Sequence, residues 1–126
     1  MTSLKRRKCY LEGIVKQVKN TADNCYSDYT LSLKTLANRW YLGRLGINSK
    51  MLGERFKEVY GKTFHQRLSY SRIKRAKELL REKWISSNLL SRVVGFSSHS
   101  YFFQAFRRET GMSPAEYKER YSKSII

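Results

Sequence analysis

Lys50-Met51-Leu52-Gly53-Glu54-Arg55-Phe56-Lys57-Glu58-Val59-Tyr60-Gly61-Lys62-Thr63 is followed, 50 positions on, by Ser100-Tyr101-Phe102-Phe103-Gln104-Ala105-Phe106-Arg107-Arg108-Glu109-Thr110-Gly111-Met112-Ser113. Leu52, Phe56, Gly61 and Thr63 of the first stretch recur as Phe102, Phe106, Gly111 and Ser113 of the second. Lys57 matches Arg107, and Lys50 and Glu54 match Ser100 and Gln104. A repeat of this length is one supersecondary unit used twice, and its size suits helix pairs better than strands.

Working outward, Leu33, Leu36, Ala37, Trp40 and Tyr41 form an apolar helix face ahead of the first copy, with Ser32 as its N-cap. Gly46 marks a turn, and Asn48 caps a short helix whose inward residues are Met51, Leu52, Phe56 and Val59 and which stops at Gly61. Thr63 opens a longer helix over roughly 64–83. Phe64, Leu68, Ile73, Ala76, Leu79 and Leu80 make its apolar arc, and Arg67, Lys74, Lys77 and Arg81 lie opposite. Arg72 falls inside the apolar arc, which calls for a buried carboxylate partner or a snorkelling stem.

Leu89, Leu90, Val93 and Val94 predict the inward side of a helix starting near Ser86, and Gly95-Phe96 the turn after it. The second copy's helix starts at Ser97 or Ser98, and Ser113-Pro114-Ala115-Glu116 is a capping box opening a last helix that Tyr117 and Tyr121 pack back. At the N-terminus, Lys5, Arg6, Arg7 and Lys8 read as a basic arm, Leu11, Ile14, Val15 and Val18 as a helix stripe, and residues 19–30 as a polar loop. The expectation is an all-α chain of two helix-turn-helix lobes, each of three-helix, homeodomain-like type, joined by a long linker helix. Its parts are an arm, helix and loop (1–30), a first helix-turn-helix (31–63), the linker helix (64–84) and a second helix-turn-helix (85–126).

Charge points to the partner. The chain carries 26 Lys+Arg against 10 Asp+Glu, a formal net charge of +16, and such a field draws polyanions. With 40% apolar residues it can still bury a core, so it is not a disordered basic tail. Cys9 and Cys25 stand in no metal-ligand spacing with His65 and His99, which argues against a zinc site and a disulfide framework. No apolar run reaches spanning length and no secretion signal is visible, so a soluble cytoplasmic protein without membrane contact is expected. No nucleophile–base set, phosphate loop or cofactor motif appears either, so neither an enzyme nor a cofactor is expected.

In a helix-turn-helix the second helix enters the major groove. With Leu52/Phe56 and Phe102/Phe106 inward, a rotation of 100° per residue turns Lys50, Glu54 and Lys57 outward in the first unit, and Ser100, Gln104 and Arg107 in the second. Phe103 and Arg108 lie on the edges. Gln104 suits adenine and Phe103 a thymine methyl, while Lys57, Arg107 and Arg108 suit phosphates. His99 sits where a recognition helix starts, and Lys62 stands beside a helix start at Thr63 that, like Ser113, offers backbone N–H groups to phosphate oxygens.

Two segments resemble the AraC/XylS-type bacterial transcription regulators. Arg72-Ile73-Lys74-Arg75-Ala76-Lys77-Glu78-Leu79-Leu80 is similar to that family's inter-lobe helix. Val94 through Phe102, and Phe106 through Tyr117, resemble its C-terminal signature, and the likeness covers roughly residues 31–121. The resemblance implies two lobes reading adjacent major-groove segments of double-stranded DNA, at Lys50, Gly53 and Glu54 and at Ser100, Tyr101 and Gln104. It also implies RNA polymerase as a partner, a nucleoid association and binding as a monomer.

The first 30 residues hold at most one helix, so the resemblance suggests a small stand-alone regulator; a C-terminal domain of a larger effector- or phosphorylation-controlled protein and a non-specific architectural binder are the alternatives. The family places a small residue five positions before the apolar residue that precedes the recognition helix. Ser91 to Phe96 obeys this spacing, but Ala37 to Ile47 is ten. Either residues are inserted around Leu42–Gly46, lengthening the first helix or its turn, or Leu42 stands in the small residue's place; the fit of Leu36-Ala37 favours the insertion.

Overall fold

The computed structural model describes the backbone of residues 3–82 and 85–121, and their side chains from residue 10 onward. Among the described residues there are seven α-helices, one 3-10 turn and no strand. They are α1 (Ser3–Asn24), α2 (Leu33–Arg39), the 3-10 turn (Leu42–Leu45), α3 (Ser49–Tyr60), α4 (Phe64–Glu82), α5 (Ser87–Val93), α6 (His99–Thr110) and α7 (Pro114–Tyr121).

The chain divides into two compact units. The first takes residues up to Cys25 and Thr30–Leu68, and the second takes Tyr26–Tyr29 with everything from Ser69. In the first unit Val15, Val18 and Ala22 of α1, Leu36 of α2, Leu52 and Phe56 of α3 and Phe64 of α4 are buried. Phe56 meets Phe64 edge-on at 6.0 Å between ring centroids. In the second, Ile73, Ala76, Leu79 and Leu80 of α4 share a core with Leu90, Val94, Phe96, Phe102, Phe106 and Tyr117. Burying a phenylalanine or leucine fully is worth about 1.5–3 kcal/mol, so the Leu52/Phe56 and Phe102/Phe106 pairs of the repeat carry much of each unit.

The repeat is exact in its ends. α3 and α6 are both 12 residues long, start at N-caps Asn48 and Ser98, and stop at Gly61 and Gly111 with φ of 75° and 76°. Asn48 accepts from Met51 N–H at 2.9 Å and Ser98 from Tyr101 N–H at 3.3 Å, so each cap closes the same first turn.

The connections ahead of these helices differ. Sixteen positions separate the N-caps Ser32 and Asn48, whereas twelve separate Ser86 and Ser98. Ile47 N–H donates to the Leu42 carbonyl at 3.1 Å as Phe96 N–H donates to that of Ser91 at 2.9 Å. Leu42 therefore does stand where the small residue belongs in the turn. The extra residues lie before it, where α2 ends and Tyr41 turns left-handed (φ 54°) ahead of the 3-10 turn.

That break corrects the apolar face expected for this helix: Trp40 and Tyr41 fall beyond its end and are exposed, while Leu36 is buried. Val59, Leu89 and Val93, also expected inward, are exposed, because Leu52/Phe56 of α3, and Leu90 of α5 with its C-cap Val94, already fill the i, i+4 stripe. Residues 19–24, expected in a loop, continue α1: Ala22 is buried, and Thr21 Oγ1 donates to the Gln17 carbonyl at 2.8 Å. The basic stretch from Ser3 is helical in backbone rather than a free arm, as suits residues of good helix propensity; the side chains of Lys5–Lys8 lie outside the described residues. Lys83 and Trp84, at the expected end of the linker helix, lie outside them too.

Arg72 is not a snorkelling side chain, and its hydrogen bonds go to the main chain. It is 8% exposed, and its guanidinium donates to the main-chain carbonyls of Tyr26 at 2.7 Å and Asp28 at 2.9 Å while lying 5.4 Å over the Phe96 ring. Burial pulls its pKa below the usual arginine value, with the Asp28 charge opposing that shift.

Candidate nucleic-acid interface

α6 buries Phe102, Ala105 and Phe106 and turns the rest of its length outward. Ser100, Gln104 and Arg107 are exposed on the opposite side, with Phe103 and Arg108 beside them and His99 at the first turn. Tyr101 is 44% exposed and leans on Phe96 at 5.6 Å, and His99 and Phe103 approach each other at 6.5 Å. The first turn of α6 carries no acid, and Arg107 and Arg108 sit in its last turn. The face therefore offers an amide, a hydroxyl and an apolar ring followed by two arginines, the mixture that groove reading uses.

α3 offers less. Lys50, Glu54 and Lys57 are exposed, but Gly53 is half-buried: a Cβ there would lie 3.2 Å from Leu33 Cδ1, so this position turns toward α2. Arg55 holds α3 to α1, its Nε donating to Glu12 at 2.7 Å and its Nη1 to Glu58 at 2.9 Å. The Glu58 and Glu12 bonds raise its pKa in that order, which keeps this charge engaged within the unit. Glu54 places a negative charge on the same outward face as Lys50 and Lys57.

The phosphate candidates occupy repeated places. Lys57 and Arg107 are exposed, and their carbonyls accept the N–H of Gly61 and Gly111, both at 2.8 Å, where α3 and α6 end. Lys62 is exposed beside Thr63. At the next helix starts, some of the backbone N–H groups are engaged within the chain. Thr63 N–H donates to Gln66 Oε1 at 2.9 Å and Ser113 N–H to Glu116 Oε2 at 3.4 Å, and the hydroxyls of Thr63 and Ser113 accept from the N–H of Gln66 and Glu116 at 3.1 Å. These are reciprocal capping boxes, each satisfying two backbone donors and holding the helix's first turn.

Arg92 escaped the sequence reading. It is exposed and lines a cavity of about 210 Å³ with Asn88, Ser91, Phe96, Ser97 and His99. Its place at the end of the first helix of the pair was the available signal, since that end faces the turn. Asp23 is the other such residue. Arg67 donates to both its oxygens, at 2.8 and 3.1 Å, and Lys19 stands 3.2 Å away. The Arg67 bond is the largest cause holding this carboxyl below its usual range. Among the described residues no group of three or more His, Cys, Asp or Glu side chains could hold a metal, and no helix is long and apolar enough to cross a membrane.

Residues 41–120 match the helix-turn-helix domain family of AraC type. The chain belongs to the AraC/XylS family. Among AraC/XylS relatives, the xylose operon regulatory protein of Escherichia coli K12 is 31% identical over 85 residues, covering 68% of this chain and 22% of that protein. The chain thus spans less than a quarter of that relative's length. The C-terminal domain of AraT, a response regulator from Geobacillus stearothermophilus, has a TM-score of 0.77 at 25% identity over 88% of both chains. The DNA-binding domain of AdpA, a global transcriptional factor solved in complex with a target DNA, has a TM-score of 0.72 at 26% identity, covering 85% of this chain and 91% of that one. The family assignment makes this chain a DNA-binding module of transcription-regulator type.

Proposed function

We propose that the chain regulates transcription by reading double-stranded DNA with α3 and α6, each inserted into one of two adjacent major-groove segments. The observation that carries this reading is the repeated helix itself: two 12-residue helices with matching caps, each turning polar and cationic side chains away from a buried aromatic or aliphatic pair. The DNA complex of the similar AdpA domain supports the choice of partner. Ser100, Tyr101, Phe103 and Gln104 read bases in the second lobe, and Lys50, Gly53 and Glu54 are the weaker set in the first, because Gly53 lacks a side chain and Glu54 repels phosphate. Lys57, Lys62, Thr63, His99, Arg107, Arg108 and Ser113 contact phosphates; for Thr63 and Ser113 the contact requires their capping groups to be shared.

Two internal lobes supply what other readers obtain by pairing, so the chain binds as a monomer. We assign it no catalytic activity, no membrane contact and a cytoplasmic, nucleoid-associated location, with RNA polymerase as its protein partner. Substitution at position 104 tests the assignment. Gln104→Ala is expected to relax preference at one base pair and cost about 1–3 kcal/mol on the preferred duplex, with Glu54→Ala costing less. Equal loss on every duplex would remove Gln104 from the readers.

A further inference from the structure

We propose that residues 26–29 form a clasp that fixes the start of α6, with Arg72 as its positioning residue. Base reading by the second lobe then depends on a segment outside the repeated units. The inference rests on the reading of α6 as a DNA-reading helix.

The chain gives Tyr26–Tyr29 to the second unit, between stretches that belong to the first. Arg72, 8% exposed, spans the segment with two charge-assisted bonds, to the Tyr26 carbonyl at 2.7 Å and the Asp28 carbonyl at 2.9 Å. Its guanidinium lies 5.4 Å over the ring of Phe96. Phe96 in turn packs on Tyr101 at 5.6 Å and Phe102 at 5.3 Å, both in the first turn of α6. Behind Phe96, Gly95 (φ 102°) is so close to the segment that a Cβ would stand 2.3 Å from the Tyr26 carbonyl oxygen. Segment, guanidinium, Phe96 ring and first helical turn are therefore one continuous stack.

The two lobes differ in what backs this turn. In the first, Leu42 is buried where the second has Ser91, so a leucine side chain fills the place of a hydroxymethyl group. In the second, the main chain of residues 26–27 lies directly on the turn. A lysine at 72 carries a compact ammonium with rotatable donors and lacks the rigid planar fork whose Nε and Nη2 meet the two carbonyls. A methionine fills the space and donates to neither.

The test uses the full chain with Arg72→Lys and Arg72→Met. It measures affinity for the selected duplex against a scrambled one of equal length, and amide exchange at Gly95 and Phe96. With Arg72→Lys, the ratio of specific to scrambled affinity is expected to fall about tenfold, scrambled affinity to hold, and protection at Gly95 and Phe96 to drop, with α3 amides unchanged. Arg72→Met is expected to show the same pattern more strongly. A role in stability alone would leave the affinity ratio of the folded protein unmoved. Should Arg72→Met fail to fold, Arg72→Lys decides. A folded Arg72→Lys protein with wild-type ratio and protection would overturn the clasp. A wild-type chain preferring no duplex would overturn the DNA-reading assignment instead, and with it the dependence proposed here.

Discussion

Replacing Gly95 by alanine is expected to cost about 3–5 kcal/mol of folding stability, against about 1–2 kcal/mol for Gly111→Ala. Both glycines hold positive φ, 102° and 76°, so both substitutions incur backbone strain. At Gly111 nothing lies within 4 Å of the added Cβ, and strain is the whole effect. At Gly95 the same carbon would stand 2.3 Å from the Tyr26 carbonyl oxygen and 2.9 Å from the Ser27 carbonyl carbon and Cα. All three are main-chain atoms, so no side chain can swing aside. Relief requires the segment to retreat by at least about 1.1 Å, from 2.3 Å to the 3.4 Å at which ordinary contact begins. That displacement lengthens the Arg72 bonds, now 2.7 and 2.9 Å, beyond useful geometry. Losing two bonds from a charged donor to half-buried carbonyls adds about 2–3 kcal/mol to the strain. Urea unfolding followed by circular dichroism measures both variants against wild type, with the slope checked for constancy. If Gly95→Ala proves no more costly than Gly111→Ala, the close approach of segment and turn is wrong.

Asp23 carries a pH signature. Its pKa is depressed by the Arg67 bond, so its stabilisation is complete above the ordinary value of 3.8 and is lost as pH falls through the lower folded value. Asp23→Asn is accordingly expected to lose about 1–2 kcal/mol at pH 7, with the gap to wild type closing below about pH 3.8 in acid-unfolding curves. Arg107→Ala should weaken binding evenly across duplexes and reduce the slope of log affinity against log salt by about 0.9, read from binding titrations over a salt series. Phe106 is fully buried, with Phe102 at 5.8 Å and Tyr117 at 5.4 Å, so Phe106→Ala should cost about 3–5 kcal/mol in the same urea assay.

The reading helices were legible because their signals are local and occur twice. A cap, an aromatic or aliphatic pair at i, i+4 and a glycine stop determine a helix without help from distant residues, and the 50-residue spacing repeated each of them. What the sequence hid depends on contacts far along the chain. Residues 19–24 look like a loop because only Ala22 among them enters the core, and Asp23 finds its partner 44 positions away. The break after Arg39 has no proline or glycine at the site; Tyr41 itself takes the left-handed conformation, and only the buried Leu42 explains why the chain turns there. Arg72 announced itself as a charge among apolar residues, but charge pairing pointed to a carboxylate. Its hydrogen bonds go to main-chain carbonyls, which no side-chain pattern reveals. Gly53 shows the same limit at the candidate site, since Leu33's place beside the position its Cβ would take follows from the packing of α2 on α3.

Selection of double-stranded DNA from a random library by the purified chain, at physiological salt, decides whether α3 and α6 read bases. The expected result is one asymmetric site with two preferred blocks about one helical turn, or roughly 10 base pairs, apart. The block read by α6 is expected to be the more sharply defined. Binding that is sensitive to salt yet enriches no sequence would contradict the reading of α3 and α6 as base readers.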